Sequence, residues 1–367
     1  MTGRTEPDEQ PLDLLHSETE EELRAAVRAL LTDKAGHREV LGRTGTGSPY
    51  VPGLWKALAT GIGAAGLLVP ERLGGQGASH REAAVVLEEL GRAVTPLPYL
   101  TSAVVATETL LALVTEGEAV TGLLADLASG RTVAVLAVPL GTAPGQDPVP
   151  APSVAGVADA VAAEVFLVPR ADGLYAVPAG EAGIEPQVPL DLTRPLAVVT
   201  PGDGGIRLAG ADAGRAAVRR GLLAGAGLLA SEQLGLAERC LAETVRHTRE
   251  RHQFNRPVGS FQALKHRMAQ LWLDLVGARA AARAAADALA GGHPDAPLLV
   301  AVAQAYCSKT AVRAAEECVQ LHGGIGMTWE HPAHLALKRA KSASIALGSP
   351  GRHQDTVATL MNLTPPE

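Results

Sequence analysis

Residues 1–130 show the spacing of apolar positions that amphipathic helices require. Ser17 stands three residues before Glu20, which is the spacing of a capping box at a helix start. Leucine and valine then recur at positions 23, 27, 30 and 31, along one face of a helix. Helical patterns follow at 52–66, 80–94 and 102–114, separated by polar or glycine-rich turns. The pattern predicts an all-helical N-terminal domain over residues 1–130.

The pattern changes near residue 130. Short valine-rich runs, separated by proline and glycine, follow one another at 132–139, 164–170, 173–179, 195–201 and 206–210. This spacing is typical of short strands joined by turns. We therefore expect a small middle β domain, a sheet or barrel, over residues 131–210.

From residue 211 the helical pattern returns and continues to the end. Four long segments carry the apolar–polar pattern of a helix and cover 214–251, 260–290, 297–323 and 331–348. They are separated by Pro257, by the Gly-Gly-His-Pro stretch and by Gly323–Gly324. Long helices with short connections indicate an antiparallel bundle. The predicted fold is thus mostly α with a small β domain, and residues 211–367 form a C-terminal four-helix bundle.

The composition excludes several classes of protein. The chain has 367 residues, of which 47% are hydrophobic but only 3% aromatic, so its core must be built from alanine, leucine and valine. A formal net charge of −7 argues against a nucleic-acid binder. Cys240, Cys307 and Cys318 share no CxxC spacing, which indicates neither a zinc module nor a disulfide framework. A polar N-terminus and the lack of a long apolar run predict a cytoplasmic protein without a membrane span.

Several strings resemble signatures of the acyl-CoA dehydrogenase family. Residues 251–262, RHQFNRPVGSFQ, resemble its arginine–phenylalanine–glutamine signature, and residues 319–326, VQLHGGIG, resemble its glutamine–glycine–glycine turn. VPERLGGQG at 69–77 and VLEELGRAVTPLPY at 86–99 are similar to its N-terminal domain. TWEHPAHLALKRAKS at 328–342 resembles an actinobacterial subset whose members often serve in paired, two-gene assemblies. The resemblance extends over nearly the whole chain.

The resemblance implies FAD as the cofactor and α,β-desaturation of an acyl thioester as the reaction. It carries cofactor-binding roles over to eight positions, some of which reach the FAD of a neighbouring subunit in the family: Arg251, Gln253, Phe254, Gln262, Gln320, Gly323, Gly324 and Gly348. A pyrophosphate needs cationic or backbone N–H donors, which an arginine and a glycine turn can supply.

The catalytic base of the family is missing from both of its known positions. Desaturation needs a positioned carboxylate that removes the α-proton of the thioester. The resemblance places this base at Leu347, before Gly348, or in some relatives at Gly225. Neither side chain accepts a proton. Glu232, on the same helix face about 10 Å further along, is a weaker candidate whose alternative is an ordinary polar helix position.

The expected flavin-ring contacts also depart from the family pattern. Val138 replaces the usual hydroxyl residue within 137–142, and residues 131–210 contain no tryptophan, although 191–194 (DLTR) resembles a short family motif. Glu330, His331 and His334 could suggest a metal site, but a helix start explains them better, and His322 is interpreted as structural. No metal is predicted.

Three functions remain open. The chain could be a subunit of a hetero-oligomeric acyl-CoA dehydrogenase, a heterotetramer or heterodimer, that lacks its own base and completes a partner's FAD site. The substrate would be an acyl-CoA or acyl-carrier thioester. It could instead be a flavin oxidase or oxygenase on the same fold, or a non-catalytic acyl-binding or scaffold subunit.

Overall fold

The computed structural model describes residues 12–115 and 117–363. Its first part is helical, as predicted: the α-helices are α1 Glu18–Lys34, α2 His37–Arg43, α3 Leu54–Lys56, α4 His80–Ala93, α5 Thr107–Leu111 and α6 Glu118–Ala128. The capping box forms, because Ser17 Oγ accepts the N–H of Glu20 while the carboxylate of Glu20 accepts the N–H of Ser17. The segment predicted as one helix over 102–114 instead combines a π-helical stretch, Tyr99–Ala106, with α5.

The middle part consists of two sheets that share one core. Its strands are β1 Ala134–Leu136, β2 Val154–Ala158, β3 Val165–Arg170, β4 Gly173–Pro178, β5 Gly183–Gln187, β6 Leu196–Thr200 and β7 Ile206–Gly210. One sheet has the order β1-β3-β4-β7 with β1 and β3 parallel, and the other has the antiparallel order β2-β6-β5. Val135, Phe166 and Val177 of the first sheet pack with Val157 and Val199 of the second.

The sequence pattern missed β2 and β5. β5 has the sequence GIEPQ and lies at a sheet edge with a mostly exposed surface, where a strand tolerates proline and polar residues. β2 contains Gly156 at a positive φ and a register shift against β6. Neither strand therefore carries the alternating apolar pattern that identified the others.

The last part is a helical bundle built on a very long helix. The elements are α7 Ala211–Glu250, the two-residue strands β8 His252–Gln253 and β9 Arg256–Pro257, α8 Gln262–Gly291, α9 Ala296–His322, α10 Ala333–Ala343 and α11 Pro350–Leu360. Among the described residues, no helix is apolar over a stretch long enough to cross a membrane. The helix–strand–helix order agrees with the prediction, while the division into domains at 130 and 210 stays a prediction.

The predicted fourth bundle helix, 331–348, is wrong in its extent. α10 ends at Ala343, because Leu347 and Gly348 adopt left-handed φ values of 53° and 105° that an α-helix cannot accommodate. A new helix then starts, with Ser349 as its N-cap and Pro350 in its first turn. The result is a tight turn between α10 and α11 that places Leu347 inside the molecule.

Two glycines allow the N-terminal helices to pack directly on the bundle. A Cβ atom on Gly235 of α7 would overlap the carbonyl oxygen of Glu88, and one on Gly91 of α4 would overlap that of Glu232. The backbones of α4 and α7 are therefore in contact at this crossing. This contact accounts for Gly235, one of several glycines that lower the helix propensity of α7.

We predict that Gly235→Ala destabilises the protein by about 1–3 kcal/mol, because the new methyl group must push α4 and α7 apart. Gly122→Ala is the control, since Gly122 is exposed on α6 and has open space around it. That change should be neutral or stabilise by up to about 1 kcal/mol. Urea unfolding followed by circular dichroism measures both, and equal effects of the two substitutions would contradict the contact.

A buried ion cluster joins the middle part to the bundle. Glu232 of α7 accepts hydrogen bonds from Arg194, at 2.6 Å, and from Arg339 of α10, at 2.9 Å. Arg339 Nε also lies 2.6 Å from the carboxylate of Asp191, whose second oxygen accepts the hydroxyl of Thr193 at 2.5 Å. All five residues are at least 95% buried. The loop before β6 is thereby fixed to two helices of the bundle.

The cluster keeps Glu232 ionised although it is fully buried. Burial favours the neutral acid, but Arg194 and Arg339 outweigh it and hold the pKa of Glu232 below its usual value. The neighbouring Asp159 behaves oppositely, since burial raises its pKa against the opposing effect of Arg194. Asp159 accepts the hydroxyls of Tyr50 and Thr101, each at 2.8 Å, so the N-terminal part is tied to the same place.

We predict that Glu232→Gln costs about 3–5 kcal/mol of stability, because it removes the carboxylate that pairs with the buried guanidinium of Arg194 and one of the two carboxylates that pair with Arg339. The exposed Glu22→Gln of α1 is the control and should change stability by less than about 0.5 kcal/mol.

The contribution of Glu232 should also depend on pH. Because its pKa is lowered in the fold, the stabilisation is complete above the unfolded carboxyl pKa of about 4.3 and is lost as the pH falls through the lower folded value. Urea unfolding of the wild type and of Glu232→Gln across this pH range measures the difference between their free energies of unfolding. A difference that persists undiminished in acid would contradict the ionised state of Glu232.

Candidate functional site

The two positions that resemble the family's base lie face to face. A Cβ atom on Gly225 of α7 would come within 3.1 Å of Leu347 Cδ1 and within 2.6 Å of Val105 Cγ2. Gly225 and Leu347 are 122 residues apart in the sequence, so only the fold brings them together. Together with Val105 of the π-helical stretch, they make an apolar contact at the place where the family resemblance predicts a base.

Two hydrogen bonds fix the turn that carries Leu347. The backbone N–H of Leu347 donates to the carbonyl oxygen of Leu140 at 2.7 Å, and Nε2 of His353 donates to the carbonyl oxygen of Leu347 at 3.0 Å. Burial lowers the pKa of His353, so its imidazole is neutral at neutral pH. Leu140 belongs to the 137–142 stretch that resembles the flavin-ring contact. The expected base loop and the expected ring-binding loop are thus hydrogen-bonded to each other.

Little space remains between these loops. The cavity there has a volume of about 30 Å³, enough for one or two water molecules, whereas ligand pockets usually enclose about 300–1,000 Å³. None of the described residues that line it is ionisable; they are Leu100, Thr101, Val105, Val135, Leu136, Val138, Pro139, Leu140, Ala158, Leu222 and Leu347. This space is too small to enclose an isoalloxazine ring. Val138 is one of the residues that line this small cavity.

The third candidate, Glu232, lies outside this cavity. Its carboxylate oxygens are engaged by Arg194 and Arg339, and its lowered pKa makes it a poor proton acceptor. The structure therefore gives Glu232 a structural environment. Sequence spacing placed it on the same helix face as Gly225 but could not show the two arginines, which come from other elements.

The predicted cofactor-binding residues fall into two groups. Seven lie exposed on the helix ends and connections at one end of the bundle: Arg251, Gln253, Phe254, Gln262, Gln320, Gly323 and Gly324. The rings of His247 and His322, stacked at 4.3 Å, show that the ends of α7 and α9 meet there. The eighth residue, Gly348, lies at the buried turn, where a Cβ atom would contact His353 and Ala143. Along α7 the two places are about 39 Å apart, so they belong to different sites.

The exposed group has an accessible geometry. Phe254 and Asn255 adopt positive φ values of 52° and 60°, which make a tight two-residue turn between β8 and β9, and Phe254 is 85% exposed. Gly323 has a φ of 64°, and neither Gly323 nor Gly324 has any atom near the place of a Cβ. The guanidinium of Arg251 and the uncovered backbone at Gly323 and Gly324 are therefore accessible to a pyrophosphate from outside the chain, which fits the dinucleotide part of FAD.

The remaining candidates from the sequence are Glu330, His331, His334 and His322. Within the described part of the chain, no group of three or more His, Cys, Asp or Glu side chains is arranged to hold a metal ion. His334 Nε2 donates to the carbonyl oxygen of Trp329 and its ring packs on the indole. The rings of His322 and His331 lie 4.6 Å apart in a tilted arrangement near the end of α9.

A second, larger cavity was not indicated by the sequence. It has a volume of about 310 Å³ and lies between the first turns of α7, the start of α9 and α11. Arg219, Arg220 and Arg352 line it together with His353 and apolar side chains such as Leu223. Arg219 pairs with Asp147 and Arg220 with Glu108, each at 2.7 Å. An arginine pair at a helix start carries no distinctive sequence signal.

Solved structures with the same fold include two assemblies of paired chains. The ChsE4–ChsE5 complex from Mycobacterium tuberculosis matches 97% of this chain and 100% of its own with a TM-score of 0.83 at 25% identity. A variant of the Tcur3481–Tcur3483 steroid ACAD matches 94% of this chain and 98% of its own with a TM-score of 0.81 at 28% identity.

Sequence comparison gives the family directly. The chain is 36% identical to the acyl-CoA dehydrogenase IpdE2 of Mycolicibacterium smegmatis, over 91% of this chain and 96% of the relative. The family models for the N-terminal and C-terminal domains of acyl-CoA dehydrogenase match residues 17–131 and 212–361. The β part between them lies outside both matches. The chain therefore belongs to the acyl-CoA dehydrogenase family of FAD-dependent oxidoreductases that act on CH–CH bonds.

Proposed function

We propose that this chain is the base-lacking subunit of a hetero-oligomeric acyl-CoA dehydrogenase and completes the FAD site of a partner subunit. The observation that carries the proposal is the filled contact between Gly225, Leu347 and Val105. It is closed by the hydrogen bond from Leu347 to Leu140 and leaves about 30 Å³. A chain built in this way lacks both a base and space for the flavin ring, which the desaturation of a thioester requires.

The chemistry explains why both requirements matter. Removal of the α-proton needs a carboxylate within hydrogen-bond reach, and no ionisable side chain among the described residues lines the cavity. FAD, when bound, accepts the hydride that leaves the β-carbon. The ring has no room beside Leu347 and Val138, so both the base and the ring site are assigned to the partner subunit.

The exposed end of the bundle has the features that a contribution across a subunit boundary needs. Arg251 can pair with a phosphate, Gly323 and Gly324 let the dinucleotide approach the backbone closely, and Phe254 offers an exposed ring. Seven of the eight positions predicted from the family resemblance lie at this end of the bundle, away from the 30 Å³ cavity. Their role would be to bind and orient the dinucleotide of a partner's cofactor.

The comparisons support a heteromeric assembly. Two of the solved structures of this fold that resemble the chain, ChsE4–ChsE5 and Tcur3481–Tcur3483, pair two differently named chains. We infer a similar pairing here, with an acyl-CoA or acyl-carrier thioester bound by the partner. A flavin oxidase or oxygenase on the same scaffold is less well supported, because it also needs space for the ring.

One observation favours a second candidate, an acyl-binding subunit. The 310 Å³ cavity combines Arg219, Arg220 and Arg352 with an apolar wall, a surface that suits an anionic amphiphile. Isothermal titration of the isolated chain with an acyl-CoA and with free CoA distinguishes the candidates. Tight binding by the chain alone favours the second one.

The first prediction concerns flavin in the assembly. Native mass spectrometry should show that the isolated chain carries no flavin, while the complex with its partner does. Arg251→Ala should weaken FAD retention by the complex about 10–100-fold, since a charge-assisted hydrogen bond contributes about 1.5–3 kcal/mol.

The matched control is Arg249→Ala, an exposed arginine two residues away on α7, which should leave FAD retention unchanged. An isolated chain that holds FAD and oxidises acyl-CoA at ordinary rates would overturn the proposal.

The second prediction concerns the lost base. Leu347→Glu should give no acyl-CoA oxidation in the isolated chain, because the carboxylate enters a site without room for the flavin ring. The variant should also be less stable, because it buries a carboxylate among apolar side chains in place of a leucine. A dye-reduction assay with added FAD measures the activity, and turnover by the variant alone would show that the site can open.

A further inference from the structure

An exposed apolar stripe runs along the outer side of α8. Its members are Ala269, Trp272, Leu273, Val276 and Ala280, all of them exposed. Trp272, Leu273 and Val276 are 58%, 55% and 43% exposed, although each is a large hydrophobic side chain. These positions recur every three or four residues, so they lie on one face of the helix. α8 therefore carries an apolar face towards solvent in addition to the face that it buries in the bundle.

The neighbouring helix α9 extends this apolar surface. Tyr306 is 41% exposed and lies against α8, since a Cβ atom on Gly277 would come within 2.7 Å of its hydroxyl oxygen. Val302, one turn earlier on α9, is 39% exposed. The stripe on α8 together with Val302 and Tyr306 forms one surface, the α8 face.

The α8 face contains one of the few tryptophans of the chain. The sequence has three, and Trp272 and Trp329 are 58% and 63% exposed. The ring of Trp329 is covered on one side by the ammonium group of Lys338 at 3.8 Å, whereas Trp272 stands within the apolar stripe. A contiguous group of exposed apolar side chains around an aromatic residue is typical of a protein–protein interface.

The sequence of the stripe is complementary to itself in the antiparallel direction. Trp272 stands four residues before Val276 and Ala280 four residues after it, while Lys265 and Asp287 stand eleven residues before and after it. All of them lie within about 40° of Val276 around the helix. In two antiparallel copies of α8 with a two-fold axis at Val276, each Trp272 therefore meets the Ala280 of the other copy. Each Lys265 likewise meets the Asp287 of the other copy.

The charges at the two ends of the stripe favour this direction over the parallel one. Lys265 is exposed, and the carboxylate of Asp287, whose side chain is 21% exposed, is fixed by Arg81 at 2.7 Å. A parallel pair would place each of these charges against the same charge of the second copy. Charged groups at the rim of an interface contribute little affinity but select its register.

We propose that two copies of this chain associate through the α8 face, with antiparallel α8 helices and Val276 at the two-fold axis. The occupant is a second copy because the stripe is complementary to its own sequence, which is the property of an isologous interface. The large indole of one copy against the small Ala280 of the other allows the two helices to approach closely.

This inference does not depend on the proposed function. Gln262, at the exposed end of the bundle, is about 21 Å from Val276 along α8, so the two surfaces are distinct. A partner subunit can bind at that end while a second copy binds to the α8 face. Together with the proposed function, the inference gives a heterotetramer, in which two copies of this chain are joined along α8 and each binds one partner.

Analytical ultracentrifugation of the isolated full-length chain measures the association. The wild type should be a dimer at micromolar concentrations. Trp272→Ala should raise the dissociation constant of the dimer at least about 100-fold, because each dimer loses two indoles from the centre of the interface. Trp329→Ala is the matched control, since it removes an exposed indole outside the α8 face and should leave the dissociation constant unchanged. Thermal melting shows that both variants are folded.

Cysteine cross-linking tests the register. Val276→Cys places a thiol beside the same thiol of the second copy, so oxidised glutathione should produce a disulfide-linked dimer that dithiothreitol separates. Ala269→Cys is the control, because it is exposed on the same face but lies about 21 Å from its counterpart along the helix pair. It should not cross-link. The three native cysteines are buried, so the wild type should not cross-link either.

Three outcomes would overturn the proposal. A monomeric wild type, or a dimer that Trp272→Ala leaves unchanged, would show that the α8 face does not join two copies. Equal cross-linking of Val276→Cys and Ala269→Cys would contradict the register. A monomeric chain whose binding to the partner subunit is abolished by Trp272→Ala would assign the α8 face to that partner.

Discussion

The buried cluster of Glu232, Arg194, Arg339 and Asp191 fixes the arrangement of this protein. It joins the loop before β6, the long helix α7 and α10, and its neighbour Asp159 reaches Tyr50 and Thr101 in the N-terminal part. A buried ion is costly unless it is paired, so a displacement of any one of these elements would leave a buried charge on another element without its partner. Thr101, Ala158 and Leu222, which line the 30 Å³ cavity, lie on or beside the same elements and are positioned with them.

Under the proposed function, this constraint explains how the fold can persist in a chain that lacks its own catalytic base. The groups that hold the parts together are distinct from those that would react with a thioester. Leu347 and Gly225 could replace acidic residues without disturbing the cluster, and the apolar contact that they make with Val105 adds to the core. The hydrogen bond from Leu347 to Leu140 then closes the space that a ring would need.

The two ends of α7 consequently have different properties. Near Gly225 the helix is buried and packed on neighbours, whereas after Thr248 the chain emerges into an exposed hairpin with Phe254 at its tip. Between them the buried face of α7, which includes Cys240, packs against α9. A long helix thus separates a buried end from an exposed end within one chain.

The sequence by itself determined the order of helices and strands, the family, and the identity of Leu347 and Gly225, neither of which can accept a proton. These features depend on local periodicity, on caps and on residue identity, which are written in the sequence. It did not determine that Leu347 and Gly225 touch, that Glu232 is paired with two arginines, or that α10 ends at Ala343. Those facts depend on groups far apart in the chain, and the energies of burial and ion pairing that select them exist only once the tertiary structure has excluded water.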